Sequence, residues 1–133
     1  VVRGVLLIQA AVVAGRRNVP LEGLFQPWDG HFYVSAATTG YPAQVRIGRH
    51  STIAFFPLYP LVGRALQVVT RLPVVWSLVA VSWCAGLAMV VIGSRLAAER
   101  WGVRRGRQAG VLLAVFPGTA VLSMTYADGL GMA

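Results

Sequence analysis

The sequence predicts an all-α protein of the polytopic membrane kind. Three observations lead there. Apolar residues come in long uncharged blocks, two of those blocks are long enough to cross a bilayer, and much of the charge is crowded between the two. Of 133 residues, 56% are hydrophobic and 12% charged, about half the charged share of an ordinary globular domain. Mean hydropathy is +0.66. A soluble domain of this size needs more polar residues to clothe its surface.

The elements follow in chain order. Residues 4–15 form an uncharged run of 12, too short to span alone, and read as the end of a first membrane helix. A signal peptide over residues 4–14 lacks its small-residue cleavage site and polar sequel. Residues 16–54 form a long loop holding Pro20, Pro27 and Pro42 and two of the four acids. Within it, residues 29–39 fit one short helix, with Phe32, Tyr33, Ala36 and Ala37 on one face and Gly40-Tyr41-Pro42 as its stop. Residues 55–70 open on the aromatic string Phe55-Phe56-Pro57-Leu58-Tyr59-Pro60. They continue with a helical face of Leu61, Ala65, Val68 and Val69, which predicts a short helix lying on or dipping into the membrane, with a tilted full span as the alternative. Residues 72–94 are 23 without a charge and residues 108–127 are 20 more, the latter interrupted by Pro117; both are expected to span. The first residue is Val and both ends are apolar, so the chain reads as a fragment of a longer polypeptide.

The net charge of +8 comes from twelve Arg and no Lys against Glu22, Asp29, Glu99 and Asp128. A basic chain invites a nucleic-acid reading, but a soluble binder does not carry two uncharged spans, so no nucleic-acid partner is expected. Membrane topology accounts for the charge better. Arg95, Arg100, Arg104, Arg105 and Arg107 crowd the link 95–107, opposed by Glu99 alone, and the positive-inside rule makes that link cytoplasmic. The loop 16–54 and the Tyr126-Ala127-Asp128 end of the last helix then share the outer face. Arginine-only basicity with abundant Ala, Val and Gly suggests a GC-rich genome and hence a bacterial cell membrane. Cys84 is the only cysteine, so no internal disulfide forms, and within an apolar run it is a packing residue.

Few residues can carry chemistry. Asp29, at a helix start beside Trp28, suits a general base acting on an amphipathic substrate; a plain N-cap is the competing role. His31 is two residues on and points to another face, which disfavours a metal pair with Asp29; a hydrogen bond to a neighbour or a lipid phosphate suits it better. Arg46, Arg49 and His50 offer a surface for phosphate or pyrophosphate. Arg64, inside an apolar segment, must snorkel or meet an anion such as a lipid phosphate. Asp128 follows an apolar helix and is a candidate if that helix continues.

Three strings taken together resemble a known family. Pro27-Trp28-Asp29-Gly30-His31-Phe32-Tyr33, then Thr39-Gly40-Tyr41-Pro42, then Ile53-Ala54-Phe55-Phe56-Pro57-Leu58-Tyr59-Pro60-Leu61 resemble the GPI mannosyltransferase II family and its bacterial relatives. Phe116-Pro117 with Ser123-x-x-Tyr126-x-Asp128 is similar to that family's later signature. The chain departs from the pattern at Gly30, where the family carries Ala or another small residue, and at Ala127-Asp128, where it often carries Ser-Glu. The resemblance implies a C-type glycosyltransferase fold, of which this chain would be an N-terminal fragment. It implies transfer of a hexose, mannose in the family, from a polyprenyl-phosphate donor to a lipid or glycan acceptor on the outer face. Asp29 would be the base. Trp28, His31, Arg46, Arg49, Arg64, Tyr126 and Asp128 would contact substrate. The lipid-linked donor would be a co-substrate, with no metal and no separate cofactor. A non-catalytic transporter or assembly subunit, or an inactive truncated piece, is the alternative.

Overall fold

The computed structural model describes residues 2–42, 52, 55–116, 118 and 123–127. Among these the chain is all-helical, in five α-helices and one 3-10 turn. They are α1 (Val2–Arg17), the 3-10 turn (Leu21–Phe25), α2 (Gly30–Thr39), α3 (Leu58–Thr70), α4 (Val74–Trp101) and α5 (Val103–Val115).

Helix α4 is the scaffold. At 28 residues it is roughly 42 Å long, and it is the one helix among the described residues long and apolar enough to cross a membrane. Its apolar window is 44% buried, and Leu87, Val91, Ile92 and Leu96 remain exposed. The buried side carries Val75, Leu78, Val79 and Val81. Two clusters form on it. Phe25, Val75 and Val79 gather Leu7 and Ala10 from α1. Ala37, Tyr59, Leu78 and Val81 gather α2, α3 and Ala127. Helix α1 lies antiparallel along the first half of α4: Leu7 and Ala10 reach the Val75–Val79 cluster, and Arg3 donates to the Trp83 carbonyl.

Helix α3 begins at Leu58, three residues later than the sequence suggests, because Phe55 and Phe56 precede Pro57 at the N-cap. Pro60 fits the first turn, where backbone N–H groups have no helical partner. Arg71 ends α3 in the left-handed conformation, φ 58°, and turns the chain into α4.

Two expected boundaries are corrected. The five-arginine link 95–107 is helical except at Gly102. Helix α4 continues to Trp101, because Arg, Ala and Leu are good helix formers and charge alone does not stop a helix. Gly102, at φ 88°, makes the break, and α5 starts one residue later. The helix expected over 108–127 ends at Val115. Phe116 is extended (φ −58°, ψ 130°) because the residue before a proline is driven out of the helical region, so Pro117 stops the helix instead of kinking it. At 13 residues, α5 is roughly 20 Å long, short of the ~30 Å hydrocarbon core.

α4 and α5 therefore form a tight hairpin. Its contact is built from small residues: Gly106 and Gly110 lie against Ser94 and Ala98. A Cβ on Gly106 would meet the Ala98 Cβ at 2.5 Å and the Ser94 carbonyl oxygen at 2.7 Å. Such spacing of small residues lets backbones approach where apolar burial supplies little drive.

Gly106→Ala tests this packing. Backbone atoms cannot rotate away, so the variant is expected to lose about 1–3 kcal/mol, read as a lower midpoint when helicity is followed through denaturing detergent. Gly4→Ala, with nothing within 4 Å of the new methyl, should not lower that midpoint.

Candidate functional site

Trp28 and Asp29 sit on the turn between the 3-10 helix and α2. Trp28 has φ 47°, a conformation that costs a bulky residue about 1–3 kcal/mol, and its side chain is 77% exposed. A strained, exposed tryptophan is not explained by packing. Asp29 occupies the N-cap position, yet its carboxylate makes no capping hydrogen bond, because its backbone is already helical (φ −81°, ψ −8°) and carries the side chain away from the first turn. The carboxylate is exposed and uncommitted to the helix.

The turn is held from far along the chain. The Tyr126 hydroxyl donates to the Pro27 carbonyl at 2.6 Å and accepts from the Asp29 backbone N–H at 3.2 Å. One group thus fixes both sides of Trp28. Thr125 donates to the Phe25 carbonyl twice, from its backbone N–H and its hydroxyl, each at 2.9 Å. The approach needs Gly30: a Cβ there would lie 2.5 Å from the Thr125 hydroxyl oxygen. The glycine that departs from the family pattern is the residue against which Thr125 packs.

A second relay anchors residues 123–127 to the scaffold. Ser82 of α4 donates to the Tyr126 carbonyl at 3.1 Å, and the Tyr59 hydroxyl of α3 lies 2.8 Å from the Ser82 hydroxyl and 3.0 Å from the Leu78 carbonyl. Tyr59 is fully buried. Burial pushes its hydroxyl above the ordinary value, against the opposing Ser82 hydrogen bond, so it stays protonated. The Tyr33 ring is edge-on to Tyr59 at 5.2 Å and to Tyr126 at 6.4 Å, and Phe55 stacks on Phe32 at 5.0 Å. Tyr41 donates to the Phe55 carbonyl at 3.1 Å, which closes the segment between them.

The structure brings Trp28, Asp29 and Tyr126 together, with exposed His31 one residue into α2. It does not bring Arg64 to them. Arg64 shares an open groove with Thr38 and Arg71 at the other end of α2, roughly 13 Å along the helix axis from Asp29. Arg46, Arg49, His50 and Asp128 lie outside the described residues. Among the described residues no three metal-ligating side chains converge. Thr125, Ser82 and Tyr59 escaped sequence reasoning. The clue was the Tyr126 string, whose neighbour Thr125 could have been read as a partner for the same turn.

Compared with protein-family models, with curated proteins and with solved structures, the chain matches none.

Tyr126→Phe should expose the dependence of the turn on that hydroxyl. It removes one of the two donors to the Pro27 carbonyl, which keeps the Gly30 N–H, together with the acceptor of the Asp29 N–H, and costs about 0.5–1.5 kcal/mol. The expected result is a lower unfolding midpoint together with faster proteolytic cutting between Phe25 and Gly30. Unchanged cutting would mean that the turn holds itself.

Proposed function

We propose that the chain belongs to a membrane glycosyltransferase that moves a hexose, mannose by its resemblance, from a polyprenyl-phosphate donor to a hydroxyl of a lipid or glycan acceptor. One observation carries the reading: Asp29 offers an exposed carboxylate, not used as a cap, on a strained turn beside an exposed Trp28, and a distant Tyr126 pins that turn. Strain held in place by long-range contacts is characteristic of functional turns. The order of strings around Asp29 supports the same reading.

In this reading the acceptor hydroxyl attacks the anomeric carbon of the donor sugar. The bond from that carbon to the phosphate oxygen breaks, the phosphate leaves with the electron pair, and the hydroxyl proton passes to Asp29. Trp28 presents a flat apolar face for the sugar or the lipid, and His31 donates a hydrogen bond beside it. The leaving phosphate needs cations. Arg46 and Arg49, which follow α2 in the sequence, are assigned to it. Asp128, two residues beyond Tyr126, is assigned to the acceptor. The site faces the outer side of a bacterial cell membrane, with the five-arginine hairpin tip inside.

Asp29→Asn in the intact protein is the direct test. Turnover of radiolabelled polyprenyl-phosphate-mannose with membrane lipid acceptors should fall by roughly two to four orders of magnitude, with the unfolding midpoint unchanged. Since the carboxylate makes no cap bond, Asp29→Ala should be as stable as Asp29→Asn. Near-normal transfer by Asp29→Asn would remove Asp29 as the base, and no transfer by the parent protein would favour a non-catalytic membrane subunit.

The topology has its own test. In a Cys84→Ala background, Gly48→Cys should react with an impermeant maleimide from outside the cell and Gly102→Cys should not. The opposite pattern would invert the protein in the membrane.

A further inference from the structure

The groove at the far end of α2 is a site of different chemistry. It holds about 440 Å³, within the range of small-molecule pockets. Arg64, Gln67, Val68, Arg71 and Leu72 line it from α3 and the turn after it, and Thr38 from α2. No acid lines it. Arg64, Val68 and Arg71 fall on one stripe of the helix, so two guanidinium groups flank an apolar residue. The Thr38 hydroxyl donates to the Val34 and Ser35 carbonyls, leaving the arginines and the Gln67 amide as the donors that face an anion.

The surroundings say what kind of anion. Val68 is 73% exposed, Val69 82% and Leu72 44%, which is costly beside water and natural beside acyl chains. Arg71 lies three residues before the start of α4, the helix long and apolar enough to cross a bilayer. If α4 crosses, its first turn marks the headgroup level, and α3 lies along that level with both arginines among phosphates. Guanidinium groups match phosphate oxygens in charge and geometry.

We propose that this groove holds one anionic glycerophospholipid, its phosphate between Arg64 and Arg71 and its chains along Val68, Val69 and Leu72. The site rests on α4 crossing the membrane and not on the transfer reaction at Asp29. The separation from Asp29 assigns it to a structural lipid rather than to the sugar donor.

The test uses the whole chain in nanodiscs of phosphatidylcholine with a minor share of phosphatidylglycerol, released into native mass spectrometry. One phosphatidylglycerol is expected to stay bound. In Arg64→Gln/Arg71→Asn its affinity should drop about tenfold or more; Asn at 71 tolerates the left-handed backbone. Arg104→Gln/Arg105→Gln removes the same charge from the hairpin and should keep the lipid. Circular dichroism checks the fold. Should the double variant lose helicity, Arg64→Gln alone, on an exposed side chain, should weaken binding several-fold. Equal loss in the hairpin variant would reduce the site to diffuse charge. Displacement by inorganic phosphate would make it a free-anion site, and displacement by polyprenyl phosphate at lower concentration would make it the donor's; each overturns the proposal.

Discussion

Irregular backbone beside an apolar helix needs a partner for every polar group, and the hydroxyl of Tyr126 meets that need where it is hardest to meet. The turn at Trp28 closes with one bond of its own, from the Gly30 N–H to the Pro27 carbonyl at 3.0 Å, and leaves the second lone pair of that carbonyl and the Asp29 N–H for another partner. A single hydroxyl, donor to Pro27 and acceptor from Asp29, takes both. Residues 123–127 have the same problem and the complementary solution: Thr125 spends its backbone N–H and hydroxyl on Phe25, and Tyr126 gives its carbonyl to Ser82. Each irregular segment is completed by the other. Remove one, and the other loses these long-range partners; at buried Phe25 a carbonyl left unsatisfied costs about 1–3 kcal/mol.

That pairing depends on the hairpin. Residues 97 apart in sequence meet at Asp29 and Tyr126. Gly102 reverses the chain in one residue, and the glycines of α5 let it run back along α4 close enough to register. Helix α5 ends at Val115, and Tyr126 meets the turn from outside any α-helix. A continuous helix through Tyr126 would have kept its carbonyls for itself, with none left for Ser82.

Much of the fold was legible because period and charge write themselves into sequence. The short helix after Asp29 and the long apolar helix followed from patterning and stop signals. Two boundaries did not, for opposite reasons. Arginines were read as a loop because they mark the water side, but a helix end tolerates them, and Gly102 alone carried the information about the break. Pro117 is compatible with a span because membrane helices accept prolines, yet the residue before it leaves the helical region and α5 ends there. At the site, Asp29 and Trp28 were visible as residue types. Their conformation was not, since the Tyr126 contacts that flank Trp28, at φ 47°, come from far along the chain. Arg64 was visible as a cation among apolar residues. Its companion Arg71 was not, because a residue at a helix end reads as a stop and reveals no groove.

Gly30 shows how local sequence and distant contact are linked. As the first residue of α2 it is a poor helix former, and helix propensity alone would favour Ala. Ala would drive a methyl group into the Thr125 hydroxyl. Because that hydroxyl is fully buried and bonded to Phe25, it cannot turn aside without losing its acceptor. The propensity lost at Gly30 is about 1 kcal/mol, whereas an unsatisfied buried hydroxyl costs about 1–3 kcal/mol. The balance favours glycine only while Thr125 is docked. Gly30 and Thr125 therefore form a matched pair: Ala at position 30 suits a chain whose residue 125 is smaller, and glycine suits this one.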